Sequence, residues 1–355
     1  MKQILIFFIS ICLFTQVYGQ SNSAPTDLPQ ISVIGNFLGS HSDSYKSFDV
    51  KELEFSYQHY LYPSVKVDIF TALHKEGTTR SFELEEAYVT FSDVFGVFFP
   101  SSPYNIGVGA ILGQKLVNIG KINPLHPEQR NFVDRPLATQ QFFGGEEGLS
   151  GEGAILSYLL PLPFFSQLET GYFTYNGGHE EHGEEEGSHG VEYEGKLLNF
   201  RSWNSFKLSD SQEIELGLNY LVGNATARSE DDQSHIIGSD ITFSKNIDKN
   251  KSLKLQLEFY EATYGEEGES RETQTGGFVT GMYKFNKYYQ TGIRYGTLSK
   301  HGDEGSVINQ LSLVGIKQLT ETSKFKVQYN TGENIEDTFY AQFIFGFGPH
   351  SHVLQ

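Results

Sequence analysis

Five histidines lie in two short segments whose composition could hold a metal ion. Residues 179–189 read His-Glu-Glu-His-Gly-Glu-Glu-Glu-Gly-Ser-His, and the candidate ligands there are His179, His182 and His189. Neutral imidazole and carboxylate groups are good ligands for zinc and similar divalent metals. The helical metalloprotease motif needs histidines four residues apart, whereas His179 and His182 are three apart in a glycine-rich segment, so protease chemistry is not indicated. The alternative interpretation is a solvated acidic loop.

His350 and His352 form a His-x-His pair near the carboxyl end of the chain. If the two histidine segments lie on opposite sides of a membrane, they could bind a divalent metal such as zinc during its passage. In a chain with 11 histidines, two short clusters also arise by chance. No nucleophile-elbow motif or phosphate-binding glycine loop occurs. We therefore expect no enzyme activity and no required cofactor.

The segment 116–153 carries a second group of charged candidates. They are Lys121, Arg130, Asp134, Arg135, Glu146 and Glu147. Aromatic residues and prolines are mixed among them, which is typical of an ordered loop. If this loop folds into a water-filled pore, its opposed charges would constrict the pore and set a transverse field that selects ions. The alternative is a structural loop whose salt bridges brace the wall.

Most of the chain alternates apolar and polar residues with a period of two, which predicts β-strands that position these candidates. Between residues 213 and 222, for example, Ile214, Leu216 and Leu218 fall on one face, and Glu213 and Glu215 fall on the other. The same pattern occurs at 52–61, 65–74, 252–259, 324–329 and 339–347. We count about 16 candidate strands in total.

The links between the candidate strands alternate between short and long. Short links occur near residues 62–63, 161–163, 209–211, 248–250, 286–287 and 321–322, and long links span 39–47, 75–81, 116–153, 176–195, 224–234, 265–272, 299–306 and 332–337. Transmembrane barrels have short turns at one rim and longer loops at the other. We therefore predict an all-β fold, a transmembrane antiparallel β-barrel of about 16 strands with both termini in the periplasm.

The beginning of the chain has the organisation of a secretory signal peptide. Lys2 precedes an apolar run from Ile4 to Phe14, and Gly19 precedes a predicted cleavage site, so we assign residues 1–19 to the signal and 20–355 to one barrel domain. Cys12 is the single cysteine, which excludes disulfides from the mature chain. The formal net charge of −18 disfavours nucleic acid as a partner.

The average composition is compatible with a membrane barrel. Aromatic residues make up 14% of the chain although its mean hydropathy is −0.35, a value typical of soluble proteins. In a transmembrane barrel only every second strand residue contacts lipid, so the average hides the membrane-facing surface. With about 16 strands the interior is too wide for wall side chains to fill, and a water channel is expected.

The long link also carries a resemblance. Its segments 120–123, 126–127, 132–137 and 145–149 resemble those of a poorly characterised family of porin-like outer-membrane proteins, and 29–37 and 85–89 are similar to that family's first strands. The family resembles the phosphate-selective porins in fold, and homotrimers are common among 16-strand porins. The resemblance implies a porin in the bacterial outer membrane. Phosphate selectivity does not carry over, because an anion pore should be basic and this chain is acidic.

These observations predict a passive channel for small hydrophilic solutes or ions, with a cation preference arising from the acidic residues. Its expected partners are outer-membrane lipid, the solutes themselves and two further copies of the chain. The first alternative is an outer-membrane accessory to divalent-metal uptake that uses the histidine-rich loop. The second alternative is a soluble periplasmic β-sandwich that binds a ligand, because alternating strands also occur in sandwiches.

Overall fold

The structure is a computed structural model, and it describes residues 28–76, 79–101, 106–175, 193–225, 233–265, 272–299, 306–333 and 335–349. In this part of the chain, sixteen antiparallel strands form one closed barrel. Each strand pairs with its neighbours in sequence, and the first strand pairs with the last from Val33–Phe347 to His41–Phe339. The predicted all-β barrel is confirmed. The alternative of a two-sheet sandwich is wrong, because a single closed sheet contains every described strand.

The strands and helices have the following bounds. The strands are β1 (Gln30–His41), β2 (Lys46–Tyr62), β3 (Val65–Glu76), β4 (Thr79–Phe91), β5 (Val108–Leu116), β6 (Ser150–Leu159), β7 (Phe165–Tyr175), β8 (Tyr193–Ser209), β9 (Gln212–Ala225), β10 (Gln233–Asn246), β11 (Ser252–Gly265), β12 (Glu272–Lys284), β13 (Tyr289–Ser299), β14 (Val307–Gln318), β15 (Lys324–Glu333) and β16 (Thr338–Phe347), and the helices are α1 (Val94–Phe98) and α2 (Leu137–Phe142). Among the described residues no helix is long and apolar enough to cross a membrane.

The two faces of the strands follow the period-two pattern. Leu218, at the middle of β9, is 65% exposed on the outer face, whereas its neighbour Asn219 is 4% exposed on the inner face. The same holds in β15, where Phe325 and Val327 are exposed and Lys326 is buried. Apolar side chains that face outward from a closed sheet are expected in contact with lipid.

The two rims of the barrel differ in the lengths of most of their links. The strand ends at one rim are joined by short turns, such as 63–64 and 210–211, and by the segment that contains α1. β1 begins and β16 ends at this same rim, because the number of strands is even. The links at the other rim are mostly longer, but β3 ends at Glu76 and β4 begins at Thr79, so the predicted long link at 75–81 is wrong. The longest of these begins after Leu116 and ends before Ser150, so the loop is 117–149 rather than 116–153.

Several predicted features lie outside the described residues. They are the signal peptide at 1–19 and the histidines His179, His182, His189, His350 and His352. Their assignment stays a prediction.

Candidate functional site

The loop 117–149 lies inside the barrel and contacts its wall on several sides. Its residues Val117, Ile119, Asn123, Ala138 and Phe142 are fully buried although the loop has little regular secondary structure. A long loop can be buried only where its polar backbone groups find partners. The loop meets this requirement through an internal hydrogen-bond network and through contacts with inward-facing strand residues.

Arg135 is the centre of the internal network. Its guanidinium group is almost fully buried and donates hydrogen bonds to the carbonyl oxygens of Ile122, Asn123, Leu125, Glu146 and Glu147, at 2.7–3.2 Å. These acceptors come from both ends of the loop, so one side chain closes the loop upon itself. An arginine suits this position because its planar group carries five N–H donors and no acceptor.

Asn123 joins the two ends of the loop at the point where they leave the wall. Its side-chain amide donates to the carbonyl oxygens of Val117 and Leu149, at 2.8 and 3.0 Å, and its Oδ1 accepts from the Leu149 amide at 2.9 Å. The side chain is completely buried. Its hydrogen bonds are therefore satisfied within the loop itself, as buried amides require.

An apolar patch on the inner wall holds the helix α2. Phe142 and Phe143 are completely buried, and the Phe143 ring lies edge-on to Tyr260 of β11 with centroids 4.9 Å apart. The patch also includes Phe173, Tyr193, Leu197, Leu221, Ile236, Ala262, Tyr264 and Leu298 from the surrounding strands. The interior of the barrel is therefore not polar throughout. The loop 117–149 covers the apolar patch of the inner wall.

A polar anchor just before α2 in the chain is Asp134. Its carboxylate accepts hydrogen bonds from Arg294 at 2.6 Å, Gln328 at 2.6 Å and Asn330 at 2.7 Å. Arg294 also donates to the Asp134 carbonyl oxygen at 2.9 Å, and its guanidinium lies 4.7 Å from the centroid of the Phe132 ring. Arg294 is 1% exposed. This buried pair fixes the loop against β13 and β15.

A third anchor lies at Gly120 and Lys121. The Gly120 amide donates to Asn219 at 3.1 Å, its carbonyl oxygen accepts from Arg201, and the Lys121 amide donates to Glu258 at 2.9 Å. Gly120 has a φ of +61°, and a Cβ there would lie 1.9 Å from the Tyr260 hydroxyl, so only glycine fits. The loop is therefore held closely against β8, β9 and β11.

The side chain of Lys121 is also paired with the wall. Its Nζ lies 2.5 Å from a carboxylate oxygen of Glu215 and 3.9 Å from the centroid of the Trp203 ring. The Trp203 Nε1 donates to the same Glu215 oxygen at 2.8 Å. The charge of Lys121 is therefore balanced by β9 rather than by another loop residue.

His126 provides a fourth anchor, against β2 and β4. Its Nδ1 lies 3.1 Å from Glu54, its Nε2 lies 3.2 Å from Glu86, and the ring is 4% exposed. Burial by itself would lower the pKa of His126, but hydrogen bonds to Glu54 and Glu86 outweigh it and hold the pKa well above its usual value. Each ring nitrogen therefore has a carboxylate partner on the wall, and these contacts hold the loop against β2 and β4.

The six predicted constriction residues are all in or at the buried loop, but they do not face one another as a single array. Arg130 pairs with Glu146 at 3.3 Å, and the Arg135 amide lies 3.4 Å from the Glu146 carboxylate. Asp134 and Lys121 pair with the wall, as described above. The side chain of Glu146 is 50% exposed and Glu147 is also exposed, so the loop's accessible charge at this position is acidic.

The wall partners were not among the predicted site residues. They include Glu54, Glu86, Arg201, Glu215, Glu258, Arg294 and Lys326. Each occupies a polar position in a strand whose other face is apolar. This alternation is the sequence feature that could have identified them as inward-facing. In the alternating pattern of 52–61, Glu54 falls on the polar face, but alternation alone does not show which loop residue a wall charge contacts.

Similar architecture is found in solved porin structures. The anion-selective porin from Comamonas acidovorans has a TM-score of 0.59 at 10% identity, over 90% of this chain and 99% of that one. A Salmonella typhi OmpF complex with daunomycin has a TM-score of 0.58 at 10% identity, over 90% and 97%. OmpT of Vibrio cholerae in its trimer form has a TM-score of 0.59 at 8% identity, over 90% and 100%. The chain has a porin fold. This confirms the resemblance at the level of fold.

Sequence comparisons give less information about the chain than the structural comparisons do. No family model matches the chain. An uncharacterised protein of Aquifex aeolicus is 26% identical over 250 residues, which are 61% of this chain and 48% of that protein. The chain thus aligns with about half the length of that relative.

Proposed function

We propose that the protein is an outer-membrane channel that lets small hydrophilic solutes or ions diffuse passively through a lumen narrowed by the loop 117–149. The observation that carries this proposal is the position of the loop. It lies within a closed sixteen-stranded barrel and is anchored to the wall on at least three sides. A barrel of this size leaves an aqueous interior, and an inward loop reduces its cross-section.

The outer surface supports a membrane location. Large apolar side chains such as Leu218, Phe259 and Ile293 are 65%, 46% and 49% exposed on the outward face. So much outward apolar surface is unfavourable in water but is required in lipid. We place the rim with the short turns in the periplasm, as in other outer-membrane barrels, so both ends of the closed sheet lie there. A homotrimer is proposed by analogy with the trimer form of OmpT.

The proposed selectivity is for cations. Lys121 is paired with Glu215 and Arg135 donates to carbonyl oxygens, while Arg130 is paired with Glu146. Glu146 and Glu147 are the loop candidates whose side chains are exposed. The chain as a whole carries a formal net charge of −18. A negative potential in a narrow, low-dielectric passage raises the local concentration of cations.

Single-channel recording in planar bilayers tests the proposal. We expect ohmic conductance, and under a KCl gradient a reversal potential of the sign that indicates potassium preference. The combined change Glu146→Gln and Glu147→Gln should move the reversal potential toward zero, because it removes exposed acidic charge beside the passage. The control is Asp248→Asn, which neutralises an exposed carboxylate at the β10–β11 turn. Folded protein without conductance would refute the channel, and a preference for chloride would refute the selectivity.

A further inference from the structure

A group of carboxylates and histidines lies on the inner wall where β2, β3 and β4 are adjacent. Glu52, His74 and Glu85 place one ligand atom each within 4.8 Å of the others. Glu52 and His74 are directly opposite in the β2–β3 register, and Nε2 of His74 lies 3.1 Å from Oε1 of Glu85. Three neighbouring strands thus direct nitrogen and oxygen ligands toward one position.

A β-bulge brings Glu85 into this group. In the β3–β4 register Phe70 pairs with Glu86 and Thr71 pairs with Leu84, so Glu85 is the inserted residue. Leu84 faces outward at 47% exposure, while both Glu85 and the following Glu86 contact inward-facing histidines. Regular alternation would send one of two consecutive carboxylates into lipid. Bulges commonly re-aim a side chain in this way beside functional sites.

The carboxylate of Glu52 is buried beside the other two ligand atoms of this group. Glu52 is only 7% exposed, and it accepts no hydrogen bond and forms no ion pair with the part of the chain that the structure describes. An ionised carboxylate is strongly disfavoured in such surroundings unless a counter-charge is supplied. The nearest ligand atoms are those of His74 and Glu85, within 4.8 Å. A cation placed among the three would provide the counter-charge.

A second group of the same chemistry adjoins the first. Glu54, His126 and Glu128 also place ligand atoms within 4.8 Å of one another, and Oε2 of Glu85 lies 3.7 Å from Nδ1 of His126. Glu85 therefore lies between His74 and His126. The ion pairs of Glu85 in the described residues are with these imidazoles alone. In their neutral form, the two imidazoles that contact Glu85 are themselves potential metal ligands.

We propose that Glu52, His74 and Glu85 bind a divalent transition-metal ion, such as zinc or cobalt(II), with Glu54, His126 and Glu128 as an adjacent second ligand group. Mixed imidazole and carboxylate ligands favour such ions, whereas calcium and magnesium prefer oxygen alone. The side chains of His74 and Glu85 are 16% and 19% exposed, so an ion can enter from the lumen and water can complete its coordination. The proposal goes beyond the channel function and holds whichever solute crosses.

Cobalt(II) titration of the folded full-length protein in detergent tests the site. The parent variant has alanine at His179, His182, His189, His350 and His352, so that these histidines cannot contribute. We expect saturable visible absorption from bound cobalt(II), which zinc abolishes by displacement and magnesium at the same concentration does not. If the folded parent shows no saturable absorption, or if magnesium displaces cobalt as well as zinc does, the proposal is overturned.

Two substitutions in this parent then locate the ion. Glu52→Gln and His74→Gln should each weaken cobalt(II) binding by about tenfold or more, because each removes one ligand. The matched control is His59→Gln, which alters a histidine of β2 on the opposite face from Glu52 and should leave the affinity unchanged. Heat-modifiable gel mobility identifies the folded variants. Glu52→Gln decides the question if His74→Gln does not fold, because it removes a charge at constant volume. Unchanged affinity in folded Glu52→Gln overturns the proposal.

Discussion

Replacing Asp134 by alanine should release the loop without opening the barrel. Asp134 is 9% exposed, and its carboxylate accepts from Arg294, Gln328 and Asn330, at 2.6, 2.6 and 2.7 Å. The strand ladder does not involve this residue, so barrel closure is preserved. The substitution instead removes the acceptor on which three buried donors of β13 and β15 converge.

The free-energy cost of Asp134→Ala to loop docking depends on the hydrogen bonds that Arg294 keeps. Breaking a buried ion pair by removing one partner costs about 3–5 kcal/mol. Arg294 retains hydrogen bonds to Gln310, Ser312 and the carbonyl oxygen of residue 134, so the lower end of that range applies. A loss of about 3 kcal/mol multiplies the ratio of detached to docked loop by roughly 150, because about 1.36 kcal/mol corresponds to tenfold.

Limited trypsinolysis of the folded barrel measures this ratio. The enzyme cuts after lysine and arginine, and Lys121, Arg130 and Arg135 lie within the loop. When opening is fast relative to cleavage, the cleavage rate follows the population of the open form, so it should rise about a hundredfold. Asp134→Asn should have a smaller effect because it keeps one acceptor oxygen. The control Asp210→Ala removes a fully exposed ion pair with Lys207 and should change nothing.

The decisive comparison is between the rate of trypsin cleavage in the loop and the heat-modifiable gel mobility of the barrel. If Asp134→Ala keeps the heat-modifiable mobility of a folded barrel and its loop is cleaved at the wild-type rate, the Asp134–Arg294 pair does not anchor the loop. The same variant should also show larger and noisier conductance than wild type. Unchanged conductance together with faster cleavage would mean that the loop does not narrow the passage.

Three further substitutions probe the loop and the wall. Phe142→Ala removes a fully buried ring and should destabilise loop docking by about 3 kcal/mol or more, seen as faster trypsin cleavage. Gly148→Ala should also weaken docking, by about 1–3 kcal/mol, because φ is +90° and the new Cβ would lie 2.7 Å from Nη2 of Arg135. Leu218→Arg, at the middle of the lipid face, should destabilise the barrel folded in a bilayer by about 2–4 kcal/mol, whereas Leu319→Arg at a turn should have little effect. Equal effects of the two changes in a denaturant titration would contradict the assigned membrane surface.

The barrel was predictable from the sequence because its rules are local. Alternation over 213–222 places Leu218 outward and Asn219 inward whatever the rest of the chain does. Alternating short and long links then indicate a meander that returns to its first strand. Closure itself, with Val33 opposite Phe347, follows from the lack of water to satisfy sheet edges in a membrane.

The partners of the loop were not predictable in the same way. Asp134 and Arg294 are separated by 160 residues, and their contact depends on barrel register, loop path and side-chain reach together. The alternation of β2 identified Glu52 and Glu54 as inward-facing, but not that they lie beside histidines. The bulge at Glu85 breaks the very alternation on which the sequence analysis relied. Long-range polar contacts and local irregularities therefore had to come from the structure.

The charged residues of the loop fall into a paired group and an exposed group, which have different roles and which the sequence alone does not distinguish. A buried charge held by an opposite charge, such as Asp134 beside Arg294, contributes little net field to the passage, because the two fields largely cancel beyond the pair. Such residues determine where the loop lies and hence how wide the passage is. Exposed charges such as Glu147 act on ions in the passage, although salt screens them over about 8 Å. Changes at the anchors should therefore alter conductance more than selectivity, and changes at the exposed glutamates should do the reverse.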